Sequence, residues 1–212
     1  MFKNRKDAAL QLCKELAKYK NDKTAVVLAI PRGGVVLGNV IAKELNIKLS
    51  IIVIKKIGHP INEELALGAV SIDDYYINED AAGDVPKSII NQKIKEKQAL
   101  AKKRYDFLIG NKKPISLKNK NAIIVDDGIA TGATMLMAIK IIRKQKPKKI
   151  IVAIPVAPQE TAEMLMPISD EFICLSKPVF FVGIGQFYED FTQVEDDEAK
   201  RLLEENQKNN KN

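Results

Sequence analysis

The sequence NAIIVDDGIATGATM, residues 121–135, determines how the rest of the chain is interpreted. It begins with an apolar, β-branched run that is typical of a buried parallel strand. Two adjacent carboxylates, Asp126 and Asp127, follow the run, and a loop of small residues comes next. A helical pattern over residues 135–144 begins at the end of this loop. The segment therefore predicts a strand, an acidic corner, a loop and a helix start in direct succession.

The loop, residues 128–134, has the properties of a phosphate site. Backbone N–H groups at the amino end of a helix attract an anion, and small side chains let the anion approach them closely. Thr131 and Thr134 add hydroxyl donors. Asp126 and Asp127 would repel a phosphate, so we expect them to face ribose hydroxyls or a hydrated divalent cation. The pattern favours a sugar-phosphate site over the alternative, an ordinary corner in which the acids cap the helix.

Several other kinds of site are excluded. The nucleoside triphosphate motif G-x-x-x-x-G-K-[ST] and the dinucleotide motif G-x-G-x-x-G are both absent. His59 is the only histidine, which excludes a histidine metal cluster, and the chain has no G-x-S-x-G elbow. Cys13 and Cys174 form no C-x-x-C pair, and we expect both in the core.

Composition predicts one domain. A chain of 212 residues with 46% hydrophobic content can bury one core, which we assign to residues 1–206, and residues 207–212 are expected to be disordered. The net charge of +7 suits a polyanionic small substrate or RNA, but a solvated lysine-rich surface also explains it. No apolar run is long enough to span a bilayer and no signal peptide is evident, so a cytoplasmic location is expected.

Strands alternate with helices along the chain and no internal repeat occurs, which predicts an α/β fold with a doubly wound parallel sheet. The predicted strands are 24–30, 49–54, 122–125, 149–154 and 171–175, with a short one at 75–78. The predicted helices are 5–20, 35–45, 86–108, 135–144, 158–166 and 192–205, the last opened by a capping box at 192–195.

Two further stretches suit an anion. Pro31-Arg32-Gly33-Gly34 follows a strand and precedes a helix, so it offers backbone N–H groups and a guanidinium, although a simple tight turn is the alternative. Lys55 and Lys56 follow the run 49–54, which we interpret as a central strand whose end faces the same ligand. A solvated lysine pair is the competing interpretation. Lys93, Lys97 and Arg104 in the helix 86–108 are likewise either solvated charges or anion contacts.

The motifs PRGGVVLG, KKIGHPINEELALGAV, DDGIATGATM and FYEDFTQVEDDE, in this order, cover almost the full length. Together they resemble the type I phosphoribosyltransferases, within them a bacterial branch of predicted enzymes whose acceptor the fold does not fix. The resemblance implies the parallel sheet of that family with a small variable hood, here mainly residues 176–193. It also implies a mobile lid at residues 71–84 and a homodimer.

The resemblance assigns roles to the motifs. Asp126 and Asp127 hold the ribose hydroxyls of phosphoribosyl pyrophosphate (PRPP), while Arg32 and Lys56 contact its pyrophosphate, near a cis or strained peptide at Arg32–Gly33. These four residues are the predicted catalytic set. Mg²⁺ is the implied cofactor, held by PRPP near the two acids and with no direct protein ligand. The implied PRPP-binding residues are Gly33, Gly34, Gly128, Ile129, Ala130, Thr131, Gly132, Ala133 and Thr134.

The implied reaction is transfer of the 5-phosphoribosyl group from PRPP to an acceptor, a nucleobase or related nitrogen compound, with release of pyrophosphate. Phe181, Phe187 and Tyr188 are predicted to bind a flat acceptor, although aromatic clusters are more often core. Ala130 stands where 6-oxopurine enzymes often have an aspartate, which argues against hypoxanthine or guanine. A partner nucleic acid is not expected.

Two alternatives use the same fold without this reaction. One is a non-catalytic regulator, linked to transcription or RNA, that senses PRPP or a nucleotide. The chain shows no helix-turn-helix appendage to support it. The other is a competence-related protein, but the zinc-ribbon cysteines often found there are absent.

Overall fold

The strand that precedes the acidic pair lies at the centre of a five-stranded parallel sheet. The structure, a computed structural model, describes residues 1–63, 65–83, 85–110 and 112–209. Its strands are β1 (Ala25–Ala29), β2 (Lys48–Ile51), β3 (Lys55–Gly58), β4 (Ala66–Val70), β5 (Tyr75–Ile77), β6 (Asn121–Val125), β7 (Lys149–Val156) and β8 (Glu171–Ser176). Its α-helices are α1 (Arg5–Glu15), α2 (Gly33–Leu45), α3 (Glu79–Ala82), α4 (Lys87–Ile109), α5 (Ala133–Lys144), α6 (Gln159–Leu165) and α7 (Asp196–Asn209).

Helices cover both faces of the large sheet. Successive side chains of a strand point to opposite faces. Val27 and Ile123 accordingly pack into one core with α1, α2 and α7, whereas Val26 and Ile124 pack into a second core with α5. Because both faces are buried, β1 and β6 are continuous apolar runs. The predicted α/β fold with a doubly wound parallel sheet is therefore confirmed.

The order of the strands in the sheet, β2-β1-β6-β7-β8, differs from their order in the chain. β1 pairs with β2 on one side and with β6 on the other, so β2 is an edge strand. The prediction that Lys55 and Lys56 end a central strand is therefore wrong. The apolar run continues past the end of β2 at Ile51, and the two lysines begin β3 of a separate antiparallel sheet, β3-β4-β5.

The segment predicted to be a lid begins as part of this second sheet. Its strand β5 is anchored to α5, since Gln145 donates a hydrogen bond of 3.1 Å to Asp74 Oδ2 and Lys144 Nζ one of 2.5 Å to the Tyr75 carbonyl. Both donors lie at the carboxyl end of α5, roughly 18 Å from its amino end. Residues 74–77 are therefore not placed as a lid over the acidic corner. Asp84, the last residue of the predicted lid, lies outside the described residues.

The last helix begins and ends later than predicted. It starts at Asp196, and Thr192 Oγ1 donates instead to Asp190 Oδ1 at 2.6 Å, so the predicted capping box does not open the helix. The helix reaches Asn209, inside the segment 207–212 predicted to be disordered. Residues 210–212 lie outside the described part of the chain. Among the described residues, no helix combines the length and apolar character that a membrane span requires.

The amino end of α2 approaches β6 so closely that it admits no side chain. A Cβ atom on Gly34 would lie 2.7 Å from the Val125 carbonyl oxygen and 3.1 Å from the Asp126 Cα atom. Backbone atoms on both sides cannot give way cheaply, in contrast to the end of a flexible side chain. The glycine is therefore required by the packing of this helix against the strand.

We expect Gly34→Ala to lower the free energy of unfolding by about 1–3 kcal/mol, the usual cost of overpacking. Helix propensity alone predicts the opposite sign. Chemical denaturation measures the difference. Gly183→Ala is the control, because Gly183 has an extended backbone and nothing within 4 Å of an added Cβ atom. Equal stability of the two variants would contradict the close approach.

Candidate active site

A cleft of about 810 Å³ opens where β1 and β6 end. In open α/β sheets, ligands bind outside the carboxyl ends of the strands. Four cationic side chains and one carboxylate line this cleft, namely Arg5, Arg32, Lys55, Arg104 and Asp126. The excess of positive charge suits a ligand that carries several negative charges.

The turn after β1 forms one wall of the cleft. Pro31, Arg32 and Gly33 line it, and α2 begins at Gly33. The resemblance implied a cis or strained peptide near Arg32–Gly33, and the structure has a cis peptide one bond earlier, between Pro31 and Arg32. The predicted glycines pack against the acids, since a Cβ atom on Gly33 would lie 1.9 Å from Asp127 Oδ2.

The two acids of the corner have different partners. Asp126 lines the cleft, and its Oδ1 accepts a hydrogen bond of 2.9 Å from the Asp127 backbone N–H. Asp127 Oδ2 instead accepts one of 2.7 Å from Arg5 Nε. The side chains of this ion pair are only 10% and 13% exposed. One carboxylate thus faces the cleft while its neighbour is neutralised within the protein.

Arg5 is held in place from three sides. Its Nη1 donates a hydrogen bond of 2.7 Å to the Thr192 carbonyl, and its guanidinium lies 3.9 Å from the centre of the Phe191 ring. Tyr188 contacts the other member of the ion pair, because its hydroxyl donates a hydrogen bond of 2.6 Å to the Asp127 carbonyl. The amino terminus adds a further contact, with the Phe2 ring 5.3 Å from the Tyr188 ring.

Sequence reasoning missed Arg5, which lies 122 residues from its partner. Asn4 caps α1 by accepting hydrogen bonds from the N–H groups of Lys6 and Asp7, so Arg5 is the first residue of the helix. A cation is unfavourable at the amino end of a helix dipole. This unfavourable position was the local signal that Arg5 forms an ion pair with a carboxylate elsewhere in the chain.

The pKa of Asp126 is raised well above the ordinary carboxyl range. Burial is the main cause, because it penalises the charged form, and the negative charge of Asp127 acts in the same direction. The positive charge of Arg5 opposes the shift. The charged form of Asp126 is thus disfavoured in the protein alone, and a ligand or cation that stabilises this charge would offset that cost.

The predicted phosphate loop lies at the amino end of α5. Gly132 is the N-cap residue, with φ of 77°, and the helix has no side-chain cap. Its first N–H groups are therefore available to an anion, except that the Ala133 N–H donates a long hydrogen bond of 3.5 Å to Thr131 Oγ1. Ala130, Thr131, Ala133 and Thr134 are exposed and Thr134 lines the cleft, whereas Gly128, Ile129 and Gly132 are buried.

A contact from the next helix fixes the loop. Thr161 Oγ1 donates a hydrogen bond of 2.8 Å to the Ala130 carbonyl. A Cβ atom on Gly128 would lie 2.5 Å from Ile184 Cγ2, so this glycine lets the chain that follows β8 pack against the loop. The loop is therefore supported by α6 and by residues beyond the parallel sheet.

The cations of the cleft differ in part from those predicted. Lys55 lines the cleft, whereas Lys56 is exposed and is not among the lining residues. A pyrophosphate contact by Lys56 stays a prediction. Arg104, for which solvation was one of two interpretations, lines the cleft and pairs with Asp196.

The predicted acceptor residues do not line this cleft. Phe181 and Phe187 stack on each other with ring centres 5.6 Å apart, and Tyr188 is buried against Phe2 and Phe191. Phe191 is the aromatic residue among the lining residues, and Arg5 covers its ring. Acceptor binding by Phe181, Phe187 and Tyr188, and a hood at 176–193, stay predictions.

The acidic corner fits a magnesium ion that arrives with its ligand. Within the described ranges, no three His, Cys, Asp or Glu side chains form a metal cluster. Mg²⁺ in phosphate sites commonly uses one or two carboxylates together with substrate oxygens and water. Asp126 can supply such a carboxylate, since Asp127 is occupied by Arg5.

We expect Arg5→Gln to lower the free energy of unfolding by about 3 kcal/mol, because it leaves the Asp127 charge buried and unpaired. Adding Asp127→Asn should restore part of this loss, so the two changes should couple by about 1–3 kcal/mol. Urea denaturation of the single and double variants measures the coupling. Lys6→Gln, at an exposed neighbour, is the control. Additive effects would contradict a stabilising pair.

The raised pKa of Asp126 predicts a pH-dependent stability. Because the folded protein holds this proton to a higher pH than the unfolded chain, the free energy of unfolding falls as pH rises above the ordinary carboxyl range. Asp126→Asn removes that penalty and should raise the free energy of unfolding near neutral pH.

The gain from Asp126→Asn should shrink as the pH falls towards about 4 and disappear below it, where the wild-type carboxyl is protonated in both states. Thermal and urea unfolding across this range measure it. Asp80→Asn, at an exposed acid in α3, should show no such trend. A gain that is constant with pH would contradict the raised pKa.

Comparison with known proteins identifies the family. The phosphoribosyl transferase domain model matches residues 2–192. A protein of Mycobacterium tuberculosis, found in two strains and named provisionally as a phosphoribosyl transferase, is 35% identical over 207 residues. That match covers 96% of this chain and 46% of the relative, so the chain spans less than half of the relative's length.

Solved structures show the same fold. The crystal structure of TT1426 from Thermus thermophilus is 32% identical with a TM-score of 0.85, and the match covers 96% of this chain and 98% of that one. A hypoxanthine-guanine phosphoribosyltransferase from Bacillus anthracis is 14% identical with a TM-score of 0.51, over 88% of each chain. The second likeness concerns the fold alone. The chain belongs to the phosphoribosyl transferase family.

Proposed function

We propose that this protein transfers the 5-phosphoribosyl group of PRPP, with Mg²⁺, to a nucleobase or related nitrogen compound and releases pyrophosphate. The observation that carries the proposal is the arrangement of charge in the cleft. Arg32, Lys55 and Arg104 supply positive charge, Asp126 supplies one open carboxylate, and the uncapped amino end of α5 with Thr134 completes the set. PRPP carries a phosphate, two vicinal hydroxyls and a pyrophosphate, and each matches one of these parts.

The ribose is proposed to bind at Asp126. Its carboxylate can accept hydrogen bonds from the ribose hydroxyls, and such bonds favour the charged form that burial disfavours. Asp127 supports this arrangement from behind, because its ion pair with Arg5 fixes the backbone whose N–H holds Asp126 Oδ1. Asp127 is thus proposed to orient the site rather than to lie in full contact with the ribose.

The pyrophosphate is proposed to leave towards the cations. Negative charge grows on this group as its bond to the anomeric carbon breaks, and fixed positive charges stabilise it most in that state. Arg32 and Lys55 are the proposed contacts of this chain. When bound, Mg²⁺ would neutralise part of the same charge, with Asp126 as the carboxylate nearest to it.

The 5-phosphate is proposed to bind the loop 128–134. Ala130, Thr131, Ala133 and Thr134 are the exposed residues there. Holding this remote phosphate would fix the orientation of the reacting carbon. Because Ala130 carries no carboxylate, the loop offers no acid to assist at a 6-oxopurine ring.

The first test is calorimetric titration of PRPP with and without Mg²⁺. The wild type should bind in the presence of Mg²⁺. Asp126→Asn should bind at least about tenfold more weakly, since it loses charged hydrogen bonds. Glu15→Gln, at an exposed acid in α1, should bind as the wild type does.

A pyrophosphate-release screen across nucleobases and amines then tests transfer. Release with one acceptor supports the enzyme. PRPP binding without release for any acceptor would instead favour the non-catalytic regulator. Failure of the folded wild type to bind PRPP would overturn the proposed site.

A further inference from the structure

Two arginines of the cleft share one carboxylate. Arg104 of α4 forms a bidentate ion pair with Asp196. Its Nη2 donates a hydrogen bond of 2.6 Å to Oδ1, and its Nη1 donates one to Oδ2. Arg32, at the start of α2, lies with its Nη1 3.4 Å from the same Oδ1. A single carboxylate is thus paired with two of the four cations that line the cleft.

The geometry of this contact imitates a bound anion. A guanidinium binds phosphate and carboxylate by the same pair of parallel hydrogen bonds. The fork of Arg104 that would serve a phosphate is therefore filled by Asp196. Glu195 lies on the same side, with Oε2 3.6 Å from Arg32 Nη1.

We propose that Asp196 is an internal competitor for the anion of the cleft: it holds Arg32 and Arg104 while the site is empty, and a pyrophosphate group displaces it. This inference rests on the proposed function in one respect, since the pyrophosphate is that of PRPP. It adds a regulatory element to that site, because a pyrophosphate must break the bridge before it can bind these two arginines.

The weakness of an exposed ion pair favours displacement of Asp196 by a pyrophosphate over permanent pairing with the two arginines. The side chain of Asp196 is 39% exposed, and an ion pair this accessible to water contributes little to stability. A pyrophosphate carries more negative charge than one carboxylate, so it can replace Asp196 at both arginines. The guanidinium of Arg104 lowers the pKa of Asp196, which keeps the competitor charged at neutral pH.

A simpler role does not explain the bridge. Acids in the first turn of a helix stabilise its dipole, and Asp197 and Glu198 occupy the same turn of α7. Within the described part of the chain, however, Asp197 forms no ion pair with Arg32 or Arg104. Asp197 therefore offers a matched control, which shares the charge and the helix dipole but not the bridge.

The test is calorimetric titration of inorganic pyrophosphate into the wild type, Asp196→Asn and Asp197→Asn. Asp196→Asn should bind roughly fivefold more tightly than the wild type, which corresponds to the loss of one exposed ion pair. Asp197→Asn should stay within about twofold of the wild type. Unchanged or weaker binding by Asp196→Asn would overturn the proposal, because Asp196 would then only position the arginines.

A second variant keeps the proposal testable if Asp196→Asn folds poorly, which thermal unfolding detects. Arg104→Gln should bind pyrophosphate at least fivefold more weakly, since it removes the ligand that Asp196 masks. Unchanged affinity would show that Arg104 is no anion ligand and would also overturn the proposal.

Parallel titrations of PRPP with Mg²⁺ separate the two proposals. If the wild type binds PRPP and Asp196→Asn gains no affinity for pyrophosphate, the competitor is wrong and the proposed function stands. If Asp196→Asn gains affinity for pyrophosphate but neither protein binds PRPP, the competitor stands and the proposed function is wrong. Binding of neither ligand by any folded variant overturns both.

Discussion

The site depends on one steric constraint, the close approach of α2 to the end of β6. Gly33 and Gly34 let the helix begin directly against Asp127 and Asp126, where any Cβ atom would collide with the strand or its carboxylate. This contact brings the turn after β1 beside the acidic corner, and with it Arg32. Neighbouring parallel strands end at the same sheet edge, but this packing also brings the Arg32 guanidinium and the Asp126 carboxylate into one cleft.

The adjacent negative charges of Asp126 and Asp127 repel each other, and the protein reduces this repulsion differently for each of the two acids. Arg5 neutralises Asp127 from outside the sheet, and Asp126 is left with a pKa raised by burial and by its neighbour. On the opposite side Asp196 pairs with Arg32 and Arg104, and Glu195 adds a second negative charge beside Arg32. Charged side chains are thus paired at both ends of the cleft, and the proposed ligand, which carries both hydroxyls and phosphates, would exchange its own contacts for these.

How well the sequence predicted each feature depends on how far apart in the chain the interacting residues lie. The strand before Asp126, the loop after it and the turn at Arg32 depend on local pattern, and the structure has each of them. Strand order is not local, which is why the run before Lys55 and Lys56 proved to be an edge strand and not a central one. The pairs of Arg5 with Asp127 and of Arg104 with Asp196 join residues 122 and 92 positions apart, so no local pattern could reveal them.

The tie between the amino terminus and the acidic corner also limits how the protein can be prepared. Phe2 is buried against Tyr188, and its N–H donates a hydrogen bond of 2.8 Å to the Phe187 carbonyl. Terminal residues are commonly trimmed before crystallisation on the assumption that they are dispensable. Here, removal of the first five residues would delete both Phe2 and Arg5. It would remove the partner of Asp127 and so disturb the acidic corner, although these residues lie far from that corner in the sequence.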